Sequence, residues 1–267
     1  MRGHDVSAGE GSGKDAARTA LSSSAFHPLR RLRVLLTAIR PPEFAPRLPY
    51  AALLLTADRL VLADTFAFSR QGGHNRTRIR TDKGALWLSV PRRHAGLGQP
   101  LTEVEVVDDG WRRRHAAALT AAYGSASFFE HVMPEWADVL ATPGSLADLT
   151  VASVRFTARW LKSEAEIVRA SDLPGRPSAL AEVADVAGAT TVLTLPESAR
   201  RDAEAVGVPV RVLRFEEAER RQVGEGFVPG LGVLDLLMTH GPAAADVLRA
   251  SVQRVDAFGA PRPRTAS

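Results

Sequence analysis

Residues Pro41–Pro91 read PPEFAPRLPYAALLLTADRLVLADTFAFSRQGGHNRTRIRTDKGALWLSVP, and this stretch decides the fold. Just before it, Arg33–Ile39 (RVLLTAI) is a short, continuous apolar run of the kind that forms a buried strand. The run leads into Pro41, Pro42, Pro46 and Pro49. Each proline fixes its own φ and restrains the residue before it, so the loop is stiff. Tyr50–Ala57 predicts a short helix. Arg59–Ala63 (RLVLA) predicts a second strand, with Asp58 before it and Asp64 after it. Strand, helix, strand in that order predict a parallel pair with a right-handed crossover. A stiff loop after a central strand is a common place for ligand contacts. Gln71–Gly73 reads as a turn, and Thr77–Thr81 and Ala85–Val90 flank Asp82-Lys83-Gly84 as a hairpin.

Working outward, Leu101–Val107 (LTEVEVV) alternates and predicts another strand. In Trp111–Tyr123, Trp111, His115, Leu119 and Ala122 share one helical face. Phe128–Leu140 and Leu146–Leu161 predict further helices, Glu166–Arg169 a strand and Ser178–Ala187 a helix. Thr190–Thr194, Glu197–Ala205 and Val208–Leu213 predict strand, helix and strand. Leu231–Met238 and Ala243–Arg254 predict the last helices. The fold class is therefore α/β: a mostly parallel sheet flanked by helices, with an antiparallel hairpin insertion. Residues 32–255 form the expected single domain, with a soft boundary near 142–146 at Pro143-Gly144-Ser145. Residues 1–31, rich in Gly, Ser and Ala, and residues 256–267, with PRPR, read as disordered tails. GEGSGKD near the start lacks the spacing and the preceding strand of a phosphate loop.

Composition narrows the function. The 267 residues are 45% hydrophobic and 24% charged, enough for a sizeable core. No apolar run reaches the ~18 residues of a membrane span, and no signal-like apolar segment stands at the N-terminus. The chain contains no cysteine, which excludes disulfides, thiolate metal sites and a cysteine nucleophile, and fits a cytoplasmic location. The net charge of +4 rests on arginine, since only Lys14, Lys83 and Lys162 are lysine. Aromatics are 6% and the arginines are interspersed with acids, so no nucleic-acid surface is expected.

The candidate site residues follow from their chemistry. His115 is the candidate general base, because an imidazole titrates near neutrality. Asn75, Arg76 and Arg78 are candidates for an anionic substrate group. On an extended segment Arg76 and Arg78 project to one side, and two guanidiniums there can fork onto oxyanions. Asp64, at the carboxyl end of a strand, is placed for a catalytic role, whereas Asp58 reads as a turn or cap residue. Tyr123 either orients substrate or seals its helix against the core. Asp235 lies inside an apolar helix and needs a partner, for which Arg76 or Arg78 are the candidates. His27, His74, His94, His131 and His240 show no metal-ligand spacing, so no metal is expected. The cofactor is left unassigned. The spatial expectation is that Arg76, Arg78 and His115 meet in a hollow beside the first two strands.

The segment Pro41-Pro42-Glu43-Phe44-Ala45-Pro46-Arg47-Leu48-Pro49-Tyr50 resembles the Gln-Pro-x-Phe-Leu-Pro-Trp-x-Gly-Tyr opening of the WbqC-like family. Asp58, Arg59–Ala63, Asp64 and Phe68 follow in the family's order, as do Asn75-Arg76-Thr77-Arg78-Ile79 and Trp87-Leu88-Ser89-Val90-Pro91. Trp111, His115 and Tyr123, then Leu231–Leu237 with Gly241-Pro242, complete a similarity that spans about residues 33–248. Pro41, Arg47, Pro49 and Gly232 stand where the family has Gln, Trp, Gly and Ser, which marks a divergent member. The resemblance implies a role in O-antigen or other surface-glycan biosynthesis, or in natural-product biosynthesis. It also implies acyl or aminoacyl, even glycine, transfer between a small-molecule donor and acceptor, with Phe44 among the substrate-binding residues. A non-catalytic binding or scaffolding member of the family and a nucleotide-dependent transferase are the alternatives that stay open.

Overall fold

A computed structural model of the chain describes residues 35–94, 96 and 98–259. The expected tail over residues 1–31 lies outside the described residues, as does the end of the second one. The central strand β1 (Leu36–Arg40) is followed by α1 (Leu48–Thr56) and β2 (Arg59–Leu62). β3 (Arg76–Thr81) and β4 (Gly84–Ser89) form the separate antiparallel hairpin. The helices α2 (Trp111–Tyr123), α3 (Phe129–Leu140) and α4 (Leu146–Trp160) come next. The order continues with β5 (Glu166–Arg169), α5 (Leu180–Val186), β6 (Thr191–Thr194), α6 (Ala199–Ala205) and β7 (Val210–Phe215). It ends with α7 (Val233–His240), α8 (Ala244–Ser251) and β8 (Val252–Ala257). The six-stranded sheet runs β5-β2-β1-β6-β7-β8, parallel except for β8.

Alternation along the strands builds two faces. Ala38, Leu60, Leu62, Leu193 and Leu213 pack with Leu53 and Leu54 of α1 and Val151 and Val154 of α4. Ile39, Val61, Val192 and Val210 pack with Val183 and Ala184 of α5 and with Val206 beside α6. A third cluster joins the hairpin, α2, α3 and α7 to the other side of α4, with Trp111, Trp136, Phe156 and Ile79 at its centre. Ser145, in the Pro-Gly-Ser break, caps α4 through a reciprocal bond with Asp148, which satisfies the first orphan donors of that helix.

Two expected elements differ. Leu101–Val107 is a 3-10 turn over Leu101–Glu103 followed by single bridges from Glu105 to Ser145 and from Val106 to Arg92. The alternation there serves a loop with one buried side, not a ladder. The last helix stops at Ser251, and residues 252–257, expected as helix and then tail, instead pair antiparallel with β7. Val252 and Val255 thereby reach the sheet core.

Asp64 lies just past β2 with no exposed surface. It accepts from Arg169 Nε at 2.7 Å, from the Ser171 backbone N–H at 2.9 Å and from Ser171 Oγ at 2.7 Å. Arg169 also donates to Asp148 at 2.9 Å, so one guanidinium ties the ends of β2 and β5 to the start of α4. Replacing Asp64 by Asn removes the buried charge that pairs with the half-buried Arg169, leaving Asp148 as its one carboxylate partner. Asp64→Asn is expected to cost about 3 kcal/mol, read as a lower urea midpoint at unchanged slope.

Candidate functional site

The strand order turns around between β1 and β6. From β1 the chain crosses through α1 to β2, while β6 on its other side leads into α6 on the opposite face. Connections that leave two neighbouring carboxyl ends in opposite directions leave a crevice there, where open α/β sheets hold ligands. Side chains span this gap. Arg40 Nη1 donates to Ser198 Oγ at 2.8 Å and lies 3.8 Å from Asp202. Asp202 also takes Arg201 at 2.9 Å and the Thr194 hydroxyl.

The proline loop after β1 supplies the rest. Glu43 is 3% exposed and accepts from the Arg47 backbone N–H at 3.1 Å and from its guanidinium at 2.6 Å. Burial pulls the Arg47 guanidinium down, but the bond to Glu43 and the charges of Glu43 and Glu197 leave it above its ordinary value. Gly73 sits against the Glu43 carboxyl at a φ of 69°, where a Cβ would be both strained and crowded. Gly72 is pressed on the His74 ring. Ala45 holds a φ of 41°, a left-handed conformation costing about 1 kcal/mol for a non-glycine residue. It is fixed there by Ser153 Oγ on its N–H and Thr77 Oγ1 on its carbonyl, both at 2.8 Å.

Two more groups complete the cluster. His74 Nδ1 lies 3.1 Å from the Pro42 carbonyl, an acceptor only, so Nδ1 carries the proton and Nε2 the lone pair. Burial lowers the His74 pKa, with the Pro42 bond and Glu43 opposing, which keeps the ring neutral. Tyr50, 1% exposed, is pushed well above its ordinary value by burial and then by Glu43, with Arg40 and Arg47 opposing. Its hydroxyl and Arg40 Nε are buried without a hydrogen-bond partner.

The structure does not bring Arg76, Arg78 and His115 together. Arg76 and Arg78 do share one side of β3, both over the Trp87 ring at 4.7 and 5.9 Å, with Trp87 53% exposed. Arg78 also reaches the Pro229 and Gly230 carbonyls. Thr77 and Ile79 of the same strand face inward, toward the cluster that contains Phe44 and Trp111. His115 lies on that inner side, with its ring 4.9 Å from Trp111 and 5.9 Å from Phe44. Its Nε2–H donates to the Ser89 carbonyl at 3.1 Å, and Nδ1 is buried without a partner. Phe44 is a core residue packed between Trp111 and Trp136. Asn75 extends the hairpin by donating to Val90 at 2.9 Å. Asp64 is saturated by Arg169 and Ser171. The Tyr123 hydroxyl takes the Arg80 N–H at 2.8 Å and donates to Asp235 at 3.1 Å. The partner of Asp235 is Arg220, at 2.8 Å, with Gln222 beside it; neither Arg76 nor Arg78 takes that place.

A model of the WbqC-like protein family matches residues 41–247, from the proline loop into α8. The chain belongs to the WbqC-like family. An uncharacterized protein of Mycobacterium tuberculosis, Rv1507c, is 25% identical over 224 residues, covering 79% of this chain and 96% of that protein. No solved structure matches the chain. Within this WbqC-like protein the Gly at position 232 has a local reason: a Cβ there would lie 2.1 Å from Thr77 Oγ1 and 3.0 Å from the Ala45 carbonyl. Among the described residues, no group of three His, Asp or Glu is gathered to hold a metal, and no helix is long and apolar enough to cross a membrane.

Sequence reasoning passed over Arg40, Glu43, Arg47, Tyr50, His74, Ser198 and Asp202. The stiff loop and the Gly72-Gly73 turn were the available signals; no local pattern pairs Arg40 with Ser198, 158 residues away.

Burial, opposed by the Ser89 bond, lowers the His115 pKa from 6.5 to about 4. The unfolded chain therefore takes up a proton before the folded one does. The His115 contribution is complete above pH 6.5 and is lost as the pH falls toward 4. That loss is about 3 kcal/mol, with buried His74 acting in the same direction. His115→Gln is expected to flatten the pH dependence of unfolding across this window. The His115 ring resonances of the wild type should show no titration near neutrality.

Proposed function

We propose that this WbqC-like protein is a transferase of acyl or aminoacyl groups between small molecules in surface-glycan or natural-product biosynthesis, working at the crevice between β1 and β6. One observation carries the reading. A neutral imidazole with its tautomer fixed, His74, stands within electrostatic reach of Glu43, Arg40 and Arg47 at the point where the sheet order reverses.

Group transfer of this kind needs a neutral base for the acceptor hydroxyl or amine, and donors for the charge that develops on the carbonyl oxygen. His74, with its Nε2 lone pair, is the candidate base, and Glu43 favours the imidazolium that forms. The Pro42 carbonyl bond orients the ring, Gly72 lies against its Nε2 edge, and Gly73 lies against the Glu43 carboxyl. Arg76, Arg78 and Trp87 form an outward patch of two cations on an indole, suited to a sugar or anionic portion of a substrate.

The test uses the host. Deleting the gene and profiling surface glycans and secreted metabolites by mass spectrometry is expected to reveal loss of an acyl or aminoacyl mass increment. The wild-type gene should restore it. His74→Gln should fold, by circular dichroism and melting, yet fail to restore it, since loss of a general base costs about 10²-fold or more in rate. A deletion strain with an unchanged set of such substituents rejects the reading.

A further inference from the structure

We infer that the seam between β1 and β6 binds a carboxylate or phosphate group of a small molecule, held by the Tyr50 hydroxyl and Arg40 Nε. Buried polar groups in folded proteins are almost always paired, and an orphan marks a missing partner. Here two orphans share one place. Tyr50 shares one buried cluster with Ala38 of β1 and Leu193 of β6, the two strands of the seam. Its hydroxyl feels Glu43, Arg40 and Arg47, which belong to the carboxyl end of the seam and the loop that follows it. Arg40 is the last residue of β1, and its guanidinium is pinned across the gap by Ser198. The pinned fork leaves the Nε edge without an acceptor.

Both orphans are donors. A phenol kept protonated by burial and a guanidinium N–H complement an acceptor, and a charged acceptor best. Charge balance points the same way. Arg47 is paired with Glu43 at 2.6 Å and Arg201 with Asp202 at 2.9 Å. Arg40 reaches Asp202 only at 3.8 Å, so it is the cation of this crevice with the weakest carboxylate contact. A planar carboxylate or a phosphate would complete the Arg40 fork and take the Tyr50 hydroxyl in one step. Under the transfer reading, on which only this assignment rests, the anion belongs to the donor molecule; the binding site itself does not depend on it.

The chain has two tyrosines, so fluorotyrosine-labelled full-length protein gives one resonance each for Tyr50 and Tyr123, assigned by Tyr50→Phe. Sodium phosphate and sodium acetate are titrated separately against sodium chloride at matched ionic strength. One of the two anions is expected to move the Tyr50 resonance saturably, to leave Tyr123 in place and to raise the melting temperature. The tighter anion identifies the group. Tyr50→Phe, which loses no hydrogen bond, should melt at or above the wild type and bind that anion about tenfold more weakly. Arg40→Lys, which keeps the charge but not the fork, should weaken it similarly. The inference is overturned if neither anion outdoes chloride, or if Tyr50→Phe binds as tightly as the wild type. Anion binding with no mass increment lost on gene deletion would keep this site and end the transfer reading. A lost increment with no anion response would do the reverse.

Discussion

Two parallel ladders on one five-residue strand govern this molecule. β1 pairs with β2 on one side and β6 on the other, so both edges of its backbone are satisfied by neighbours that run the same way. Parallel neighbours require crossovers, and crossovers of one hand place α1 on one face of the sheet and α6 on the other. The gap at the carboxyl ends of β1 and β6 is the geometric remainder of that arrangement. One group of buried and half-buried polar residues gathers near it: Arg40 from the strand, Glu43, Arg47 and Tyr50 from the loop and α1, and Ser198 and Asp202 from across the gap.

The second layer braces the first from the side of α4. The hairpin, α2, α3 and α7 close around Trp111, Trp136 and Phe44, while α4 is shared by this cluster and the sheet. Asp235 could not remain charged there alone. Arg220, Gln222 and the Tyr123 hydroxyl satisfy it, and burial still raises its pKa against their pull. The same network holds the segment after β7 on the hairpin, because Arg80 donates to the Val223 and Glu225 carbonyls while its N–H binds Tyr123. The proline loop is thereby gripped from two sides, by Ser153 of α4 and Thr77 of β3. A loop held this firmly can carry a left-handed Ala45 and keep Glu43 and His74 buried.

Much of the architecture was legible in local pattern. Apolar runs at 59–63 and 190–194 are strands because continuous burial on both faces of a parallel sheet demands them. Trp111–Tyr123 is a helix of the bounds that its spacing predicts. Leu101–Val107 misled because alternation also describes a loop with one side buried. The end of the chain misled because a strand pairing with β7 is a contact between distant segments, not a local preference. For the candidate site, the sequence pointed to the loop and expected Arg76, Arg78 and His115 to meet, and the structure puts the arginines and the imidazole on opposite sides of the hairpin. Alternation placed the two arginines on one face correctly. It carried no information on which face of the hairpin α2 would cover, and α2 covers the other.

By itself, then, the sequence determined the α/β class, the hairpin, the stiff loop and the family, since each is written in residues close together in the chain. Tertiary structure alone decided which buried polar groups meet. Arg40 meets Ser198, and Asp235 meets Arg220, because strand order and helix packing bring them into hydrogen-bond range. The same packing fixes the charge state of His115, since its pKa depends on burial and a carbonyl partner rather than on neighbouring residues in the chain.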